Sequence, residues 1–148
     1  MKELLLVEDT DTDAELMLRT LRLVGVANPV RRISSGSEAM AFLSYLEQMD
    51  DSESVPAVLL LDLKLPGLTG FEILQRIQGR PAFSKTLCVV LSQLDDTKSI
   101  KQAYTLGADS FLVKPVGEFD LRELVRAFPA YWAFGDATTE ATVFQPRT

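Results

Sequence analysis

Four short apolar runs in this chain each end on a residue able to handle phosphate. Leu4-Leu5-Leu6-Val7 runs into Glu8-Asp9, and Val58-Leu59-Leu60-Leu61 into Asp62. Leu87-Cys88-Val89-Val90-Leu91 leads to Ser92, and Phe111-Leu112-Val113 to Lys114-Pro115. Runs this short and this apolar are expected to be strands buried on both faces of a parallel sheet, because helices must then cover both sides. In an open parallel sheet ligands bind at the carboxyl ends of the strands. Carboxylates, a hydroxyl and an ammonium would then share one rim.

Between these runs the periodicity turns helical. Ala14, Met17, Leu18, Leu21 and Val24 share one helical stripe, with Gly25 as the stop. Val30 to Ser34 reads as another strand, and Ser37 is expected to cap a helix with Ala39, Phe42, Leu43 and Leu46 on its inner face. Asp50 to Pro56 reads as a loop, and Lys64 to Gly70 as a turn-forming segment. Phe71, Leu74 and Ile77 mark a third helix ending near Gly79, and Asp95 or Asp96 opens a fourth carrying Ile100, Ala103 and Tyr104. A last helix shows Leu121, Leu124, Val125 and Phe128. The alternation predicts an α/β fold: a five-stranded parallel sheet, doubly wound and flavodoxin-like, with helices on both faces.

At 148 residues the chain fits one domain, and 47% apolar against 24% charged residues supports a packed core. The compact unit is expected over residues 1–128, leaving 129–148 as a C-terminal extension with no output domain. A net charge of -6 without a basic cluster argues against nucleic acid. No apolar run is long enough for a bilayer, and the first strand begins directly after Met1-Lys2, so neither a membrane partner nor a signal peptide is expected. Cys88 lies inside an apolar run and reads as an inert thiol in a cytoplasmic protein.

Clustered carboxylates repel and need a cation to be tolerated. Glu8, Asp9 and Asp62 offer only oxygen, which suits Mg²⁺ or Mn²⁺ rather than zinc. Lys114 is either a point charge for a phosphoryl oxygen or a structural salt bridge to one of these acids. Ser92 is either a hydrogen-bond donor to a phosphoryl oxygen or the cap of the next helix. A carboxylate facing Mg²⁺ and an ammonium can accept a phosphoryl group in line, and no residue here stands out as a general base for hydrolysis. The chain contains no histidine, so a phosphohistidine donor must lie on another protein.

Val7-Glu8-Asp9, Asp62-Leu-Lys-Leu-Pro66-Gly-Leu-Thr-Gly70, Leu91-Ser92, Gly107-Ala108 and Lys114-Pro115 resemble, in order and spacing, the receiver domain of two-component response regulators, over residues 2–128. The resemblance implies Asp62 as phosphoacceptor. It implies Mg²⁺ held by Asp9 and Asp62, by Glu8 through water, and by the backbone carbonyl of Lys64. Ser92 and Lys114 would contact the phosphoryl group, Ser92 and Phe111 would be the switch pair, and Lys114-Pro115 would be a cis peptide. Phe111 reads equally as a core residue of an edge strand. Lys64, two residues after the acceptor, stands where a neutral residue is common. The loop after the second helix, Tyr131-Trp132 and Phe144-Gln145-Pro146 resemble regulators of bacterial phytochrome histidine kinases. That implies a sensor histidine kinase as partner and a homodimer, with Tyr131, Trp132, Phe134 and Phe144 as interface candidates unless the tail folds back on its own domain. Two other functions compete with this one: a phosphorylation-independent binding module, and a haloacid-dehalogenase-like phosphatase, which would need a second Asp where Lys64 stands.

Overall fold

A computed structural model describes residues 2–93 and 96–135. The apolar runs are strands β1 (Leu4–Val7), β3 (Val58–Asp62), β4 (Leu87–Ser92) and β5 (Ser110–Val113), joined by β2 (Val30–Ile33). They form one parallel sheet in the order β2-β1-β3-β4-β5. Five helices separate and follow the strands: α1 (Asp11–Leu23), α2 (Gly36–Met49), α3 (Gly70–Ile77), α4 (Thr97–Thr105) and α5 (Glu118–Ala127). Among the described residues no helix is long and apolar enough to cross a membrane.

Successive strand residues point to opposite faces, and each face builds its own core. Leu4, Leu6, Leu60, Val89 and Leu91 pack with Met17, Leu21, Leu121 and Leu124 of α1 and α5. Leu5, Val7, Leu59, Leu61 and Val90 pack with Leu43, Ile73, Leu74 and Ala103 of α2, α3 and α4. This double burial explains why the central strands carry no polar alternation.

The register sets the rim. Val7 lies beside Leu61, so the next residues, Glu8 and Asp62, are level across the β1/β3 junction. Asp62 lies beside Leu91 and Ser92 beside Val113, which puts Lys114 just past the end of β5. Strand order reverses at β1/β3, the place where doubly wound sheets open a crevice for ligand. Gly70 brings the start of α3 onto the end of β3: a Cβ there would stand 2.5 Å from the Asp62 carbonyl oxygen.

Two local expectations are corrected. Ser35, not Ser37, caps α2: Ser35 is extended, and its hydroxyl accepts the Glu38 N–H at 3.2 Å. The Ser35-Gly-Ser-Glu38 sequence has the spacing of a capping box, and it shifts the helix start to Gly36. Trp132 is not an exposed anchor. After α5 the chain makes a 3-10 turn at Pro129–Tyr131 and folds back, and the Trp132 ring enters the α1/α5 core at 7% exposure. The strap is held by the Ala27 N–H on the Ala133 carbonyl (2.6 Å), the Ala133 N–H on Asn28 Oδ1 (2.7 Å), and an antiparallel bridge of Val26 with Phe134. Helix α1 does stop at Gly25, whose φ of +87° is readily adopted by glycine. Phe144 lies outside the described residues.

Candidate functional site

The residues expected on the rim come from the ends of four strands, Glu8 and Asp9 from one of them, and the structure brings them together. Glu8, Asp9 and Asp62 each offer a carboxylate oxygen, all within 4.8 Å of one another. Glu8 and Asp62 are buried, at 1% and 5% exposure, while Asp9 faces solvent. Lys114 Nζ reaches between them, 2.9 Å from Glu8 Oε1 and 3.1 Å from Asp62 Oδ2. The other Asp62 oxygen, Oδ1, accepts the Lys64 N–H at 3.0 Å. Both oxygens of the central carboxylate are thus held by cation and backbone.

The electrostatics follow from this burial. Desolvation pushes the Glu8 carboxyl up to about 7, the Lys114 hydrogen bond pulls against that, and the Asp62 charge adds to it. Burial would lower the Lys114 ammonium. Hydrogen bonds to Glu8 and Asp13, with the charge of Asp62, overcome that and hold Lys114 well above its ordinary range. The site is a buried, acid-rich pocket with one ammonium spanning it.

Divalent-cation chemistry fits these residues. The donor set is all oxygen and compact, as a hard cation of the Mg²⁺ type requires. Ser92 supplies a second test. Its Oγ is buried and has no hydrogen-bond partner among the described residues, although it stands at the strand end beside the acidic cluster. It does not cap α4, because Asp96 occupies that position. A buried hydroxyl left without a partner is costly, so a donor aimed at an incoming oxygen is a chemical reason for its presence.

Phe111 is half-buried against the α2–α4 core and meets Tyr104 edge-on, with ring centroids 6.2 Å apart at 86°. The Lys114-Pro115 peptide is cis. Lys64 reaches across the mouth of the pocket to Asp96 Oδ1 at 3.0 Å, and this ammonium holds the Asp96 carboxyl below its usual range.

Three residues hold contacts at the site that the sequence did not reveal, Asp96 among them although it was expected to open α4. Asp13, in the first turn of α1, accepts from Lys114 Nζ at 2.9 Å. Asp96 ties the β4–α4 loop to Lys64. Arg32 buries its guanidinium beneath the Glu8 turn, with Nε and Nη2 on the Glu8 carbonyl oxygen at 3.0 and 2.9 Å. Only Arg32 left a signal in the sequence, a charge in the middle of a short strand.

The model of the response regulator receiver domain matches residues 4–126. Response regulator Rcp1 of Synechocystis sp. is 30% identical over 131 residues, 88% of this chain and 88% of that protein. Among solved structures, the bacteriophytochrome response regulator AtBRR superposes with a TM-score of 0.73 at 33% identity, covering 92% of this chain and 98% of that one. The bacteriophytochrome response regulator RtBRR gives 0.76 at 31% identity, over 92% and 82%. The match spans all five strands and the acidic pocket at their ends, and the chain belongs to the response regulator receiver domain family.

Proposed function

We propose that this chain takes a phosphoryl group from a sensor histidine kinase onto Asp62, in a reaction that requires Mg²⁺. The observation that carries this reading is the Asp62 carboxylate itself. It sits at the β1/β3 crevice with one oxygen on Lys114 Nζ and the other on the Lys64 N–H, beside two further acids. An Asp62 oxygen attacks phosphorus in line. A P–O bond forms, the P–N bond to the kinase imidazole breaks, and the departing nitrogen takes a proton from solvent.

The chain's own residues position and neutralise. Lys114 exchanges carboxylate oxygens for a phosphoryl oxygen, and the Ser92 hydroxyl donates to another. Bound through Asp9, Asp62, the Lys64 carbonyl and Glu8 by way of water, Mg²⁺ would offset the charge on the phosphoryl oxygens. Seating of Ser92 on phosphate would then bias the Phe111 ring on the adjacent strand away from its half-buried place against Tyr104. With no histidine in the sequence, the donor is a second protein, and the likeness to two bacteriophytochrome response regulators supports a phytochrome-type kinase.

Self-association belongs to the same proposal, with Tyr131 and the 59%-exposed Phe134 as its described apolar contacts. Trp132 serves the fold instead. The test is labelling by acetyl phosphate: Mg²⁺-dependent incorporation in the native chain, and none in Asp62→Asn. Undiminished labelling of that variant would overturn the assignment.

A further inference from the structure

We propose that Arg32 is a positioning residue for the divalent-cation site, acting through the turn that carries Glu8 and Asp9. The inference rests on the cation-binding reading of that site. Arg32 lies on β2, the edge strand next to β1, at 5% exposure. Its Nε and Nη2 donate to a single acceptor, the Glu8 carbonyl oxygen, at 3.0 and 2.9 Å. Its Nη1 donates to Asp11 Oδ1, on the first residue of α1, at 2.7 Å. One rigid plane therefore clamps both ends of the Glu8-Asp9-Thr10-Asp11 turn, with Asp9 between the clamped points.

The turn is also held from above. The Glu8 N–H donates to the Ile33 carbonyl, and the Thr10 N–H to Glu8 Oε2 at 3.3 Å. The Arg32 fork joins the end of β1 to the first residue of α1 through the backbone carbonyl of Glu8, whereas Lys114 links the same two elements only through the Glu8 and Asp13 carboxylates. A buried guanidinium is expensive unless its donors are satisfied, and here they are satisfied by the backbone and first helical residue of this loop. Outer groups that orient metal ligands typically change affinity about 10- to 100-fold when removed.

Charge alone predicts the opposite sign. A buried cation near three carboxylates repels Mg²⁺, so a purely electrostatic Arg32 would weaken cation binding, and its loss would tighten it. The fork predicts loss of affinity both with the charge removed and with the charge kept on a lysine, which has no rigid planar fork to hold the Glu8 carbonyl and Asp11 together.

The experiment is calorimetric titration of the full chain with Mg²⁺, beside thermal melts, for the native protein, Arg32→Lys, Arg32→Met and Arg31→Lys. Arg31 neighbours Arg32 but pairs with Glu3 at 3.0 Å, away from the site. The expected result is about a tenfold loss of Mg²⁺ affinity or more in Arg32→Lys with a cooperative melt retained, and native affinity in Arg31→Lys. Acetyl phosphate labelling of Arg32→Lys should return to the native rate at saturating Mg²⁺, because the fork sets ligand placement and not the phosphoryl chemistry. Native or tightened affinity in Arg32→Lys or in a folded Arg32→Met overturns the proposal. A native chain that binds no Mg²⁺ overturns the site reading itself, and the Arg32 proposal with it.

Discussion

Ser92 and Cys88 occupy the same strand and are both buried, yet their polar atoms meet different surroundings. The Cys88 thiol is pushed up to about 12 by desolvation, with the Asp109 charge adding to it, so almost no thiolate exists at neutral pH. Ser92 is equally buried, but its hydroxyl lacks a partner among the described residues and stands at the acidic rim. Ser92→Ala should therefore leave the melting temperature unchanged or slightly higher, since it removes a polar atom without breaking a hydrogen bond. The same variant should lose about tenfold in acetyl phosphate labelling rate, equivalent to one transition-state contact of about 1.4 kcal/mol. A native labelling rate in Ser92→Ala would remove it from the site. At this scale the sequence was readable for groups placed by strand ends: Glu8, Asp9, Asp62, Ser92 and Lys114 all sit where the apolar runs stop. The lysine contacts of Asp13 and Asp96 were not readable, because an acid at the N-cap or in the first turn of a helix looks the same whether it caps, solvates or pairs with a lysine.

The elements show the same division between pattern and partner. Strand identity followed from apolar runs, and helix faces from spacing, because both are local consequences of burial. The α2 cap slipped by two residues because Ser35 and Ser37 are chemically alike, and only backbone geometry separates them. The strap after α5 was harder. Tyr131, Trp132 and Phe134 look alike as aromatic residues near a terminus, yet Trp132 is buried while Phe134 stays exposed. What distinguishes them is a set of contacts to residues 25–28, a separation in sequence that no local pattern encodes. Trp132→Ala should cost about 3 kcal/mol by emptying part of the α1/α5 core, read as a lowered midpoint in denaturant unfolding. Phe134→Ala should cost well under half as much. Equal costs would mean that the strap is not anchored by its indole.

In the whole molecule, the parallel sheet places the Asp62 carboxylate, two further acids and the Lys114 ammonium at the β1/β3 crevice, and α5 and its strap pack with α1 on one face of the sheet. Under the proposed function, a signal begun at Asp62 would travel through two-state elements, with Ser92 and Phe111 on neighbouring strands as the candidates. Because the strap folds on its own domain through residue 135, self-association would rest on the exposed Phe134 edge and on residues after it. Deletion from Gly135 onward should lower the mass in solution at micromolar concentration while leaving the thermal melt cooperative. An unchanged mass would place any self-association elsewhere.

The central claim is that Asp62 carries the phosphoryl group, and mapping the acyl phosphate tests it most directly. After incubation with acetyl phosphate and Mg²⁺, the acyl phosphate is trapped by borohydride reduction and the chain is digested. The modified residue should be Asp62, with no trapping in Asp62→Asn or when Mg²⁺ is chelated. Label recovered on any other residue of the native chain, or persisting in Asp62→Asn, would contradict the account.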